Sequence, residues 1–187
     1  MKERKKQRLA EFDYATHGAY FVTICVQDMQ YRFGKIIDGS MVLNEAGEIV
    51  KKQWNWLFDQ YHYLQIDEFI VMPNHLHGII HVVGNGRDRS LQDCKVKPLP
   101  ELVGAFKTTS SKMIHLVGHS DFRWQKSFYD RVVRDEKELH LIREYITNNP
   151  LSWELDKNNS DINGNELFCR EQATTHAGGK TVPYGLN

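Results

Sequence analysis

Val71-Met72-Pro73-Asn74-His75-Leu76-His77-Gly78-Ile79-Ile80 holds a turn and a strand around which the rest of the chain can be arranged. Pro73-Asn74 favours a turn. The apolar runs on either side, 64–72 and 75–83, therefore predict an antiparallel hairpin. Successive strand side chains point to opposite faces, so His75 and His77 share one face and Leu76 turns to the other. Two imidazoles side by side are half of a metal site, which needs a further ligand from elsewhere in the fold. His81 has the same parity but lies about 13 Å along the strand from His77, too far to share one ion, and is expected to be structural. Ile79 at the next alternating position excludes a run of three alternating histidines.

Ala19-Tyr20-Phe21-Val22-Thr23-Ile24-Cys25-Val26 is rich in β-branched and aromatic residues and predicts a central strand. A short strand is expected at Ser40–Leu43. Asn44 then caps a helix whose apolar positions Ala46, Ile49, Val50, Trp54, Leu57, Phe58 and Tyr61 recur at three and four residues. Residues 84–97 are polar and glycine-containing, as in a surface loop. Residues 98–117 return to helical spacing through Leu102, Ala105, Phe106, Met113 and Leu116, with Thr108, Thr109, Ser110 and Ser111 weakening the middle. Residues 127–134 alternate as a half-buried strand does, and Asp135-Glu136-Lys137-Glu138 has the form of a capped helix start. That last helix runs to about Asn148, and Pro150 ends it. The expected class is α+β, an antiparallel sheet with helices packed on one face. One domain is expected over residues 1–155, followed by a loosely ordered tail at 156–187.

A chain of 187 residues can bury a real core as one domain. It contains no apolar run of about 18 residues to span a bilayer, and its first eight residues lack the apolar segment of a signal peptide. A soluble, cytoplasmic protein without a membrane role is therefore expected. Cys25, Cys94 and Cys169 are odd in number, far apart and without metal or redox spacing, so they are expected to be reduced thiols. Lys and Arg number 24, as do Asp and Glu, which gives no global bias toward polyanions. Any contact with nucleic acid must use a local patch.

The last helix offers candidates for the rest of the site. Leu141, Tyr145 and Asn149 lie four residues apart in one row, beside an apolar row of Leu139, Ile142 and Ile146 suited to packing on the sheet. A phenol has an unperturbed pKa of about 10 and is a weak nucleophile unless a nearby cation or base favours the phenolate. An amide oxygen from Asn149 can complete an ion's coordination. The combination suits attack by Tyr145 on a phosphodiester polarised by the ion.

These residues carry a resemblance. Met72-Pro73-Asn74-His75-Leu76-His77 resembles the HUH signature of the single-tyrosine transposases, in which U is a bulky apolar residue. Arg143-Glu144-Tyr145-Ile146-Thr147-Asn148-Asn149-Pro150 resembles the Y-I-x-x-N-P signature of their REP-associated branch, as do Trp124-Gln125, 128–136 and Gly104-Ala105-Phe106-Lys107. The two signatures stand about 70 residues apart, in the expected order, and the likeness covers roughly residues 14–153. It implies a ferredoxin-like HUH nuclease fold with His75, His77 and Asn149 as metal ligands and Tyr145 as nucleophile. It also implies cutting of single-stranded DNA next to hairpins, with a 5'-phosphotyrosine link and a free 3'-hydroxyl that can reverse the reaction. The implied cofactor is a divalent metal, Mg2+ or Mn2+, and the implied partner is single-stranded or hairpin DNA, with the protein a monomer or a homodimer. Imidazoles favour softer cations and Mg2+ favours oxygen, so Mn2+ is expected to bind more tightly than Mg2+.

Each feature also has a plain structural reading. An H-x-H pair can be an ordinary strand pair, Tyr145 an amphipathic core residue, and Asn149 a helix terminator. Lys2, Arg4, Lys5, Lys6 and Arg8 form a basic cluster that either grips phosphate or is merely solvated. Lys107, Lys112, Arg123, Lys126, Arg131 and Arg134 are the DNA-contact candidates nearer the expected chemistry. Two classes of function follow: a metal-dependent single-strand endonuclease and transposase, or a non-catalytic protein that binds hairpin DNA. Intact His75, His77 and Tyr145 favour the enzyme, since a binder does not need them.

Overall fold

Strand β1 (Gly18–Cys25) lies at the centre of a four-stranded antiparallel sheet, as its β-branched and aromatic run predicts. The computed structural model of the chain describes residues 17–83, 96–153 and 159. The basic cluster at 2–8, Cys94, Cys169 and most of the expected tail lie outside them. After β1 come a hairpin of β2 (Gly34–Ile37) and β3 (Ser40–Leu43), helix α1 (Glu45–Gln60), β4 (Leu64–Val71), β5 (His75–Val82), α2 (Leu99–Leu116), β6 (Tyr129–Val133) and α3 (Glu136–Asn148). The sheet order is β4-β5-β1-β6. With α1 and α2 as crossovers, this is the split βαββαβ arrangement of the ferredoxin-like fold.

Local chemistry accounts for most boundaries. The Asn44 side chain accepts the Gly47 amide at 2.9 Å and starts α1. Asp135 likewise accepts the Glu138 amide at 2.8 Å and starts α3, while the Glu138 carboxylate accepts the Arg134 amide at 2.9 Å. The hydroxyl-rich middle of α2 stays helical because those side chains bond within the helix. Thr108 donates to the Gly104 carbonyl at 2.8 Å and Ser110 to the Phe106 carbonyl at 2.6 Å. Strand β2 was not among the expected elements. Its signal is the turn Asp38-Gly39, whose left-handed backbone, φ 50° and 70°, suits a tight hairpin.

The helices divide between the two faces, which corrects the expectation of helices on one face only. Tyr20, Val22, Ile24, Leu76, Ile80 and Val82 form the main core with α1 and α2 residues including Val50, Trp54, Leu57, Leu102 and Phe106. Leu139, Ile142 and Ile146 of α3 pack on the opposite face, against Ile79, Phe21, Ala19, Ile70 and Val133. The reason lies in β5, whose side chains are buried in both directions from His75 to Ile80. A strand buried on both faces needs cover on both. Burying each of the three α3 side chains is worth roughly 1.5–3 kcal/mol and sets which side of the helix meets the sheet. Gly78 marks the tight side: a Cβ there would stand 2.5 Å from Trp54 Cζ2. Among the described residues no helix is long and apolar enough to cross a membrane.

Candidate active site

The parity of β5 places His75 and His77 on the α3 face, and the strand register decides what lies beside them. Cys25 and Thr23 of β1 are the cross-strand partners of His75 and His77, and Tyr129 of β6 is the partner of Thr23. Ile70, His77, Thr23 and Tyr129 thus form one row across all four strands. Cross-strand partners point to the same face, so Arg131, opposite Phe21, also belongs to this side.

The two imidazoles are buried, His75 fully and His77 to 3% exposure, with their rings 4.4 Å apart. Their Nε2 atoms stand 2.9 Å apart. Phe21 stacks on His77 at 5.4 Å between ring centres, and Trp153 lies 6.1 Å from His75. Behind them, His75 Nδ1 faces the Asn74 side-chain oxygen and His77 Nδ1 faces the Thr23 hydroxyl, both at 2.8 Å. Burial pulls the His75 pKa down to about 3, so its imidazole is neutral and can act as a ligand.

Tyr145 extends from α3 over His77. Its hydroxyl is 3.4 Å from His77 Nε2, and its ring packs edge-on to Phe21 at 6.2 Å. It is half-buried, whereas the α3 residues of the apolar row are buried. Asn149 follows one turn later at the end of α3, 2% exposed, and its side-chain oxygen has no hydrogen-bond partner among the described residues. The chain from Tyr145, at His77, to Trp153, at His75, carries Asn149 at its midpoint.

This donor set fits a divalent cation in part. Two imidazole nitrogens roughly 2.1 Å from one ion and at right angles about it would be about 3.0 Å apart, close to the observed separation. The orphaned oxygen of Asn149 is a buried acceptor in want of a positive partner. Among the described residues no cluster of three His, Cys, Asp or Glu side chains gathers, so an ion held here would take its other ligands from amide, substrate or water oxygens. A mixed nitrogen and oxygen set suits Mn2+ better than Mg2+.

His81, expected to be structural, bonds the Asp67 carboxylate at 2.5 Å. Asp67 also takes both arms of Arg143 from α3, at 2.8 and 2.7 Å. Burial alone would raise the Asp67 pKa, but the bonds from Arg143, the Glu68 amide and His81 outweigh it and hold the carboxyl at about 2.

The six basic candidates are spread over α2, the segment that follows it, and β6 with the residue after it. The Lys107 ammonium donates to the Gln125 and Ser127 carbonyls, both at 2.8 Å. Arg123 donates to the Ser120 and Phe122 carbonyls, and Arg131 pairs with Glu138 of α3. Lys112, Lys126 and Arg134 are exposed. Of the six, Arg131 is the one the register sets beside Phe21 on the site's face. Thr23, Asn74, Phe21 and Trp153 were not singled out from the sequence. Asn74 had a visible signal in its place beside His75, whereas Thr23 and Phe21 become meaningful only through the β1–β5 register.

No family model matches the chain. An uncharacterized protein of Haemophilus influenzae strain Rd is 34% identical over 165 residues, which cover 82% of this chain and 92% of that protein. A REP-associated tyrosine transposase, solved bound to a REP hairpin, superimposes with a TM-score of 0.53 over 86% of this chain and 79% of its own, at 19% identity. At that identity the likeness is one of fold.

Proposed function

Since the chain belongs to the same family as the Haemophilus influenzae protein and has the fold of a REP-associated tyrosine transposase, we propose that it cuts and rejoins single-stranded DNA beside hairpins, with Tyr145 as nucleophile. The observation that carries this reading is the approach of the Tyr145 hydroxyl to 3.4 Å from His77 Nε2, itself 2.9 Å from His75 Nε2. The ring packs against Phe21 and His77, while the hydroxyl it carries is aimed at a buried imidazole nitrogen.

His75 and His77, with the Asn149 side-chain oxygen, would hold a divalent cation, Mn2+ or Mg2+. That ion would neutralise charge on the scissile phosphate and favour the phenolate of Tyr145. The chain's own residues do the rest. The Tyr145 oxygen forms a bond to phosphorus while the bond to the leaving 3'-oxygen breaks. The leaving oxygen takes up a proton and becomes a 3'-hydroxyl. One phosphoester replaces another, so the 5'-phosphotyrosine conserves the bond energy and the reverse attack rejoins a strand without ATP. Phe21 and Ile142 fix the ring and the helix behind the nucleophile, so that the oxygen reaches phosphorus at little orientational cost.

The test incubates the protein with hairpin-bearing single-stranded DNA and Mn2+, then resolves covalent adducts on a denaturing gel. An adduct is expected from the wild type and none from Tyr145→Phe, with DNA binding retained in both. Binding with no adduct from either protein would overturn this reading in favour of a non-catalytic hairpin binder.

A further inference from the structure

The two histidines differ in what stands behind them, and the difference fixes their protons. The Asn74 side-chain nitrogen donates to the Met29 carbonyl at 3.1 Å, which fixes the amide's orientation and turns its oxygen toward His75 Nδ1. An amide oxygen only accepts, so His75 carries its hydrogen on Nδ1 and presents a bare lone pair at Nε2. The 2.9 Å contact between the Nε2 atoms then requires His77 to supply the hydrogen there. His77 Nδ1 is left bare, and the Thr23 hydroxyl donates to it at 2.8 Å.

A cation cannot be bound by both rings in that arrangement, because His77 Nε2 is occupied by hydrogen. Ligation needs the hydrogen on His77 Nδ1 instead. A hydroxyl both donates and accepts, whereas an amide oxygen or an ammonium has one role only. By rotating its O–H, Thr23 can satisfy His77 in either tautomer without moving the ring, and no proton is gained or lost overall.

We propose that Thr23 is a positioning residue for the cation site, a two-way hydrogen-bond partner that lets His77 change tautomer when an ion binds while Asn74 keeps His75 locked as a ligand. The proposal rests on the cation reading above and goes beyond it by naming the residue that sets affinity. Thr23 is 4% exposed and is the cross-strand neighbour of His77 on β1, so no water is needed for the exchange of roles. Partners of this kind typically govern metal affinity by about 10–100-fold.

Two measurements test it on the full chain. Long-range proton–nitrogen correlation spectra of the metal-free wild type should place hydrogens on His75 Nδ1 and His77 Nε2. Addition of Zn2+, a diamagnetic imidazole-seeking ion, should move the second to His77 Nδ1 and leave the first in place. Mn2+ titration should then show affinity about 10–100-fold weaker in Thr23→Val and close to wild type in Thr23→Ser. A wild-type His77 that keeps its Nε2 hydrogen when Zn2+ is bound, or a folded Thr23→Val that binds Mn2+ as tightly as wild type, overturns the role of Thr23 alone. A wild type that binds neither ion overturns both this role and the cation reading beneath it. Should Thr23→Val fail to fold, Thr23→Ala is read in its place, with the same weakening of Mn2+ binding expected and wild-type affinity overturning the role.

Discussion

Asp67 receives the two arms of the Arg143 guanidinium at 2.8 and 2.7 Å and thereby joins the edge strand β4 to the helix that carries Tyr145. The pair is separated by 76 residues in sequence, and Arg143 precedes the proposed nucleophile by two. Fixing the helix there fixes the reach of the phenol over His77.

The pH dependence of stability should show this pair. The Asp67 carboxyl is held at about 2 in the folded protein against 3.8 when unperturbed. Its stabilising contribution is therefore full above about pH 4 and lost as pH falls toward 2. Allowing for solvent screening, it should amount to about 1–2 kcal/mol. Urea unfolding of Asp67→Asn should show that deficit at pH 7 and little difference from wild type at pH 2. An equal deficit at both pH values would mean that the ionised carboxylate contributes nothing special.

The unpartnered oxygen of Asn149 gives a second expectation. In metal-free protein, Asn149→Ala removes a buried acceptor that has no donor, so stability should change by less than about 1 kcal/mol. With Mn2+ at a hundred times its dissociation constant the wild type should gain about 2.7 kcal/mol, and at the same concentration the variant should gain much less. Thermal melts with and without Mn2+ measure both. An unchanged Mn2+ shift in Asn149→Ala would remove Asn149 from the ligand set.

Opposite faces of β5 should fail in different ways. Leu76 is fully buried in the main core, so Leu76→Asp should abolish cooperative unfolding by placing an unpaired charge there. Gly78→Ala would force a methyl toward Trp54 and should cost about 1–3 kcal/mol. His75→Ala, on the other face, should stay folded by circular dichroism and lose metal-dependent cleavage. A His75→Ala that cleaves normally would leave the pair without a catalytic role.

Much of this was legible in the chain because it rests on period. Alternation put His75 and His77 together, and four-residue spacing put Tyr145 ahead of Asn149 beside a buried row of Leu139, Ile142 and Ile146. The caps Asn44 and Asp135 were visible for the same reason, since they act within one turn. Register was not legible. That Thr23 rather than Val22 or Ile24 meets His77 depends on how β1 slides along β5, and a shift of one residue would exchange the faces. The placement of α3 opposite α1 and α2 was equally hidden, because an amphipathic stripe does not say which face of a sheet it covers. That the Lys107 ammonium meets the Gln125 and Ser127 carbonyls was equally hidden, because both partners come from the segment before β6, 18 and 20 residues away.

Peptide mapping of the protein–DNA adduct by mass spectrometry identifies the nucleophile outright. After cleavage of hairpin-bearing single-stranded DNA in Mn2+ and nuclease trimming, the residual nucleotide mass should sit on the peptide containing Tyr145, joined through phosphorus to its oxygen. Nucleotide mass on Tyr129, which shares the row of Thr23 and His77, or on any other residue, would contradict the account.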